Sequence, residues 1–212
     1  MHPTVKPGIR ILVSIAACAA ASCGGGHPGG SPDGGGSSGQ YWSNGNGTFT
    51  GTNPSGAAVS ATFTDAQVFF EEVSTGASGT SYAFDVVTSS GSGGTGGLLT
   101  FSSPTGASGS FVSDIAITGA PAVGTVTSTS SVSSGGLQLI YSTPSDTQGY
   151  FAHGPQQQVG AEGSWSIDLT SATVFGGSSD GSGSAAYYTV HGTLTAQMID
   201  ENGGSGTLNL TF

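Results

Sequence analysis

The chain has 212 residues, 39 of them glycine, with 12 carboxylates against only two basic side chains, Lys6 and Arg10, and a formal charge of −10. Nothing after Arg10 can neutralise phosphates, so nucleic-acid binding has no electrostatic term to run on, and Schiff-base lysines and Arg clamps on phosphoryl groups or carboxylates are excluded. All 12 carboxylates lie downstream of Arg10, so the chain beyond that point presents a surface of Ser, Thr, Gly and Asn with a modest negative bias.

In chain order, Lys6 and Arg10 precede an apolar run from Ile11 to Ala21, followed by Ser22, Cys23 and a glycine tract. About 11 residues at ~1.5 Å rise cover about 16 Å, roughly half of a hydrocarbon core, so the run is a secretory signal and not a spanning helix. Small residues before each cysteine make this segment resemble bacterial lipoprotein signal peptides. Two positions compete for the lipidated Cys. Ile15-Ala16-Ala17-Cys18 has the family's branched aliphatic three residues before Cys, whereas Ala20-Ala21-Ser22-Cys23 follows the longer apolar run and leaves no second thiol after cleavage.

The resemblance implies a signal peptide over 1–22 and a lipid on Cys23 or Cys18; the alternative is ordinary secretory cleavage with no lipid. A single acyl chain anchors only marginally, so the family's tri-acylated Cys is what makes the tether durable. By the family's sorting pattern, neither Ala19 nor Gly24 is the Asp that signals inner-membrane retention, which points to the outer membrane of a diderm envelope, periplasmic or surface face. Both cysteines fall in this segment, so no disulfide framework exists downstream.

Residues 23–40 are Gly/Ser/Pro-rich with almost nothing apolar and read as a disordered tether, reaching about 20–25 Å as a coil. His27 and Asp33 within it make a poor metal site. Residues 41–212, about 170, suit one domain with one core.

From Tyr41 the period is two. Val59, Ala61 and Phe63 alternate with Ser60, Thr62 and Thr64; Val68 and Phe70 continue after an irregularity near Asp65. Tyr82, Phe84 and Val86, then Leu99 and Phe101, then Phe111, Ile115 and Ile117, then Val126, then Leu137, Leu139 and Tyr141 supply further short strands. Gly/Ser clusters between them are turn signals. Trp165, Ile167 and Leu169 share one face; so do Val190, Leu194, Ala196 and Met198; Leu208, Leu210 and Phe212 form a closing strand. No helical stripe of useful length follows the signal. The fold class is all-β, an antiparallel β-sandwich or small barrel of short strands. The word TGASG at Thr75–Gly79 and Thr105–Gly109 is no more than composition yields.

Site signals are weak. The G-x-S-x-G pattern occurs at Gly35–Gly39 and Gly177–Gly181, neither on the strand-to-helix turn the motif needs. His153 or His191 with Asp168 and a serine would make a triad, but no spacing selects the serine. His191 alternates outward. His153, in Tyr150-Phe151-Ala152-His153-Gly154-Pro155 before three glutamines, reads as a polar loop anchored by Phe151. No cofactor is expected. Calcium is the one metal the oxygen ligands would suit, at Asp180 or at Asp200, Glu201 and Asn202, with Glu71-Glu72 as a further pair; ordinary turn chemistry accounts for them better.

The expectation is a non-catalytic, lipid-anchored envelope module with a binding or structural role, its partner a glycan or an envelope protein. A polysaccharide-acting hydrolase is the alternative, with Asp85, Asp114 and Asp168 outward on strands; two of them facing each other beside exposed aromatics would favour it. A second alternative is an outer-membrane β-barrel, whose closing strand Leu208, Leu210 and Phe212 resemble. Such a barrel needs strands of about nine to eleven residues and an outward apolar band.

Overall fold

The structure, a computed structural model, describes residues 40–74, 80–88, 97–102, 107–153, 163–179, 184–200 and 202–212. Cys18, Cys23, His27, Asp33, Asp180, Glu201 and the Gly35–Gly39 motif lie outside these. Eleven strands and no helix are formed among the described residues. They are β1 (Ser43–Thr52), β2 (Ala58–Ser74), β3 (Thr80–Thr88), β4 (Gly97–Ser102), β5 (Ser108–Thr118) and β6 (Gly124–Thr127). After these come β7 (Ser133–Thr143), β8 (Asp146–His153), β9 (Ser164–Ser179), β10 (Ser184–Asp200) and β11 (Ser205–Thr211).

Pairing runs β11-β1-β2-β3-β5-β7-β8-β10, and β10 returns to β11, which closes an eight-stranded antiparallel barrel. Sandwich and barrel were both open in the sequence; the ring decides for the barrel. Closure removes the edges that an open sheet exposes. β4 pairs with β5 outside the ring, and β9 and β6 extend from β10.

The long strands correct the expectation of short ones: β2 and β10 have 17 residues each and β9 has 16. The irregularity near Asp65 explains why. Asp65 sits at φ 57°, and the β1–β2 register slips between Gly45 and Gly47. This bulge bends β2 instead of ending it, so past it Ala66 to Val68 still pair with β1 while the strand pairs with β3 from Ala66 to Ser74.

β10 is the seam. Its first half pairs with β9 and, at Tyr187–Thr189, with β2; its second half pairs with β11 and meets β8 only at Ile199↔Phe151 and Asp200↔Tyr150. The Ser43 hydroxyl donates to the Val190 carbonyl and lies 3.3 Å from the Val68 carbonyl, tying β1 to β10 and β2. Gly192 and Phe212 exchange both backbone bonds, at 2.7 and 3.0 Å. Because Ser43 is buried, Ser43→Ala leaves carbonyls without this donor; a loss of about 1–2 kcal/mol in urea unfolding is expected.

Eight strands leave an interior just wide enough for side chains to fill. Phe49, Phe70, Phe84, Phe111, Leu139 and Tyr150 fill it, and Trp165, Ile167 and Leu169 of β9 join the same core beside the short β8–β10 contact. The alternating partners, among them Thr48, Thr62, Asp114, Asp168, His191, Thr193 and Thr195, are exposed. The barrel is therefore apolar inside and polar outside.

The segment around His153 differs from its reading as a loop. Tyr150 to His153 is the end of β8, paired with β7 from Leu139↔Tyr150 to Gly136↔His153. Tyr150 and Ala152 enter the core, while Phe151 is half-buried and stacks on His153 at 5.5 Å. Three apolar residues in succession hide the alternation.

Candidate functional site

Most outward positions are small and polar, and one patch breaks that rule. On β2, Phe70 enters the core while its neighbour Phe69 points outward yet is almost fully covered. Two half-buried rings pack on it, Tyr41 just before β1 and Tyr187 on β10, and the half-buried Trp42 and Phe175 of β9 pack in turn on Tyr41. Tyr41 is the hub, with ring centroids 4.7 Å from Tyr187, 4.9 Å from Trp42, 5.1 Å from Phe69 and 6.1 Å from Phe175. The planes are steeply inclined, 85° for Tyr41–Trp42 and 83° for Tyr41–Phe69. Edge-to-face packing of this kind adds about 0.5–1.5 kcal/mol per pair beyond area burial, enough to hold the start of the domain against the barrel wall.

Two carboxylates stand at the foot of these rings. The register Phe69↔Asp85 and Glu71↔Ala83, with Glu71↔Tyr187 on the other side, puts Glu71 and Asp85 on the same face as Phe69 and Tyr187. They are diagonal neighbours, with β-carbons on the order of 7–8 Å apart. The Tyr187 hydroxyl reaches Glu71 Oε1 at 3.5 Å, a long bond, and Asp85 is 7% exposed.

Burial, then the Glu71 charge, then Tyr41 and Asp85 push the Tyr187 hydroxyl up to about 12; burial, then Glu71 and Asp85, raise Tyr41 as well. Inside the barrel, burial and then Asp200 push Tyr150 up to about 12. These folded values lie above the unfolded value near 10, so the stability they carry is whole below about pH 10 and is lost as pH rises through the folded values. Urea midpoints should fall steadily above about pH 10.

The other expected site residues are dispersed. Asp168, exposed on β9, accepts from the Thr125 hydroxyl at 3.0 Å. Asp114, exposed on β5, stands where β5 passes from β3 (Phe84↔Ile115) to β4 (Gly97↔Ser113). His191 is exposed opposite Ser171, and His153 lies on a different strand opposite Gly136. Gly177 to Ser179 belong to β9 in a hairpin with β10, so that G-x-S-x-G is no nucleophile elbow.

Asp200 is buried and turns back on its own loop: its carboxylate accepts from the Asn202 N–H at 2.7 Å, its carbonyl from Gly203 at 3.0 Å, and its N–H donates to Gly204 at 2.8 Å. This is turn chemistry. No group of three or more metal-ligating side chains occurs among the described residues.

A scan of protein-family models and searches of curated proteins and of solved structures each find no match. The geometry therefore has to carry the functional reading alone. Besides the aromatic corner it offers a shallow depression of about 260 Å³ between β9 and β10, rimmed by Thr127, Ser128, Thr129, Ser166, Thr195 and Gln197, with Trp165 and Ala196 beneath. Trp165 Nε1 is buried there without a hydrogen-bond acceptor among the described residues. The ring is 2% exposed, so the depression offers hydroxyls and no stacking face.

Sequence reasoning missed the corner. Its signal was present as aromatic doublets on strands, Phe69-Phe70 and Tyr187-Tyr188: on a two-residue period, one member of each must face outward.

Proposed function

We propose that this chain is a non-catalytic β-barrel module with a binding role, exported and held at the cell envelope by a lipid on Cys23 or Cys18. The aromatic–carboxylate corner carries the binding part of this reading. It is the one described place where large rings and acids gather outside the core, and it sits where the Gly-rich segment joins the barrel, on the part of the molecule a tether would hold nearest the membrane. The signal segment, the small residues before each cysteine and the glycine tract support the anchor. Outer-membrane placement follows the sorting pattern at Ala19 and Gly24.

A polysaccharide-acting hydrolase is the second reading, favoured by one observation, the closeness of Glu71 and Asp85 to four half-buried rings. Against it, both carboxylates rise from neighbouring strands in the same direction, whereas acid and nucleophile must flank a glycosidic bond from two sides. An outer-membrane barrel is consistent with the closed even-numbered ring and the long strands. The apolar-inside, polar-outside arrangement is the reverse of what that environment requires and favours a barrel that does not span.

Cell fractionation of three forms tests the anchor. The native chain and one of Cys18→Ser and Cys23→Ser should pellet with membranes, and the other variant should be released or remain unprocessed. Equal release of all three would overturn the anchored reading.

A further inference from the structure

β9 and β10 pair from Ser179↔Ser184 to Leu169↔Gly192 and then separate, and the depression of about 260 Å³ lies in the gap. The gap is closed at both ends. At one end Gly192 pairs with Leu169, so closely that a β-carbon on it would clash with the Asp168 carbonyl oxygen; at the other, a β-carbon on Gly163 would clash with the Gln197 carbonyl oxygen. Between these points both strands turn backbone groups into the gap. Gly192 exchanges both of its bonds with Phe212, just past β11, so by alternation Leu194 and Ala196 bond toward β11 and Thr195 turns the other way. The Ser128 N–H donates to the Trp165 carbonyl at 3.0 Å, so Trp165 turns toward the end of β6 and Ser166 toward β10. Among the described residues no strand pairs with Thr195 or Ser166 on the side of the gap.

Two rows of outward side chains lead away from the depression. Thr195, Asn209, Thr48 and Thr62 stand opposite one another across β10, β11, β1 and β2, and so do Gln197, Thr207, Thr50 and Ser60. All are exposed except the half-buried Thr207, whose hydroxyl donates to Gln197 Oε1 at 3.2 Å and leaves the Gln197 amide nitrogen as a donor. Each row spans three strand spacings, about 14 Å at ~4.8 Å each, and neither holds a carboxylate or a cation. That chemistry decides the class of ligand. An anionic polymer meets an acidic chain with no Lys or Arg after Arg10, a cationic one meets no carboxylate in the rows, and a partner β-strand cannot run through a gap closed at both ends. A neutral polyol fits, because its hydroxyls both donate and accept, as those of Ser and Thr do. The depression has room for a sugar ring rather than a single water.

We infer that the depression between β9 and β10 receives one residue of a neutral polysaccharide, whose following residues lie along the two rows over β11, β1 and β2. This contact is separate from the aromatic corner and goes beyond the binding reading given to it. It also fails separately from the anchor, which fractionation reads.

The probes are neutral hexasaccharides of glucose, galactose, mannose and N-acetylglucosamine, with an oligogalacturonate as the acidic counterpart, titrated by calorimetry against the full protein in a detergent that carries no sugar. At least one neutral hexasaccharide should bind, with an affinity unchanged by added salt, and its disaccharide more weakly because it leaves the rows empty. Thr195→Val, which keeps the shape, should weaken hexasaccharide and disaccharide alike several-fold, and Thr48→Val the hexasaccharide alone. Thr118→Val, which removes an exposed hydroxyl from β5, should change neither. The inference is overturned if no neutral hexasaccharide binds, or if the oligogalacturonate binds as tightly. It is equally overturned if Thr118→Val weakens binding as much as Thr195→Val, or if Trp42→Leu removes binding that Thr195→Val leaves intact, which would put the sugar on the aromatic corner.

Discussion

Gly135→Ala should cost the barrel more than about 3 kcal/mol, the largest loss expected of any single methyl addition in it. Gly135 has φ +79°, and a β-carbon there would lie 1.5 Å from the Asp114 carbonyl oxygen. Two penalties meet. A left-handed conformation costs a non-glycine residue about 1–2 kcal/mol, and the overlap is with backbone, which cannot rotate away, so β5 and β7 have to part where Gly135 pairs with Ile115. Gly119 separates the two penalties: it has φ +90°, and a β-carbon there would meet nothing within 4 Å. Gly119→Ala should therefore cost only the conformational share, about 1–2 kcal/mol. Chemical unfolding of both variants checks this, and equal losses would mean that the close approach of β5 to β7 is not what Gly135 secures.

Phe84→Ala should cost about 3–5 kcal/mol. Phe84 is 1% exposed, with its ring 5.0 Å from Phe70 and 5.6 Å from Phe212. It joins β3 to the strand that closes the ring, so the cavity left by truncation opens between two walls that the backbone holds apart and cannot collapse. Thr62→Ala, an outward change on β2, should stay within about 0.5 kcal/mol. If Phe84→Ala proved as mild as Thr62→Ala, the interior would not be packed as described.

Alternation is what made the fold legible before the structure. Phe63, Phe84, Ile115, Leu139, Ile167, Leu194 and Leu210, each chosen for its two-residue period, all lie in the core. The irregularity at Asp65 and the turn after Asp200 were legible for the same reason, since each interrupts a clear pattern. β1 was not, because its sequence SNGNGTFTGT offers one large apolar residue, Phe49. That strand is specified by glycines that let β11 come close: a β-carbon on Gly47 would sit 2.5 Å from the Asn209 carbonyl oxygen. Ring closure was illegible too. It depends on β10 changing partners half-way along, which periodicity does not encode. The corner combines residues from Tyr41 to Tyr187 that only the β2–β10 pairing brings together, although Phe69-Phe70 and Tyr187-Tyr188 each had to turn one ring outward.

Hydroxyls on the outer wall keep the charge-poor barrel hydrated, and the corner gathers Glu71 and Asp85 beside its rings.

The intact mass of the protein extracted from membranes tests the central claim most directly. The account predicts a species that begins at Cys23 or Cys18 and carries the added mass of a diacylglyceryl group and an amide-linked acyl chain. An unmodified chain in the culture medium, or mature protein with both cysteines bare, would contradict it.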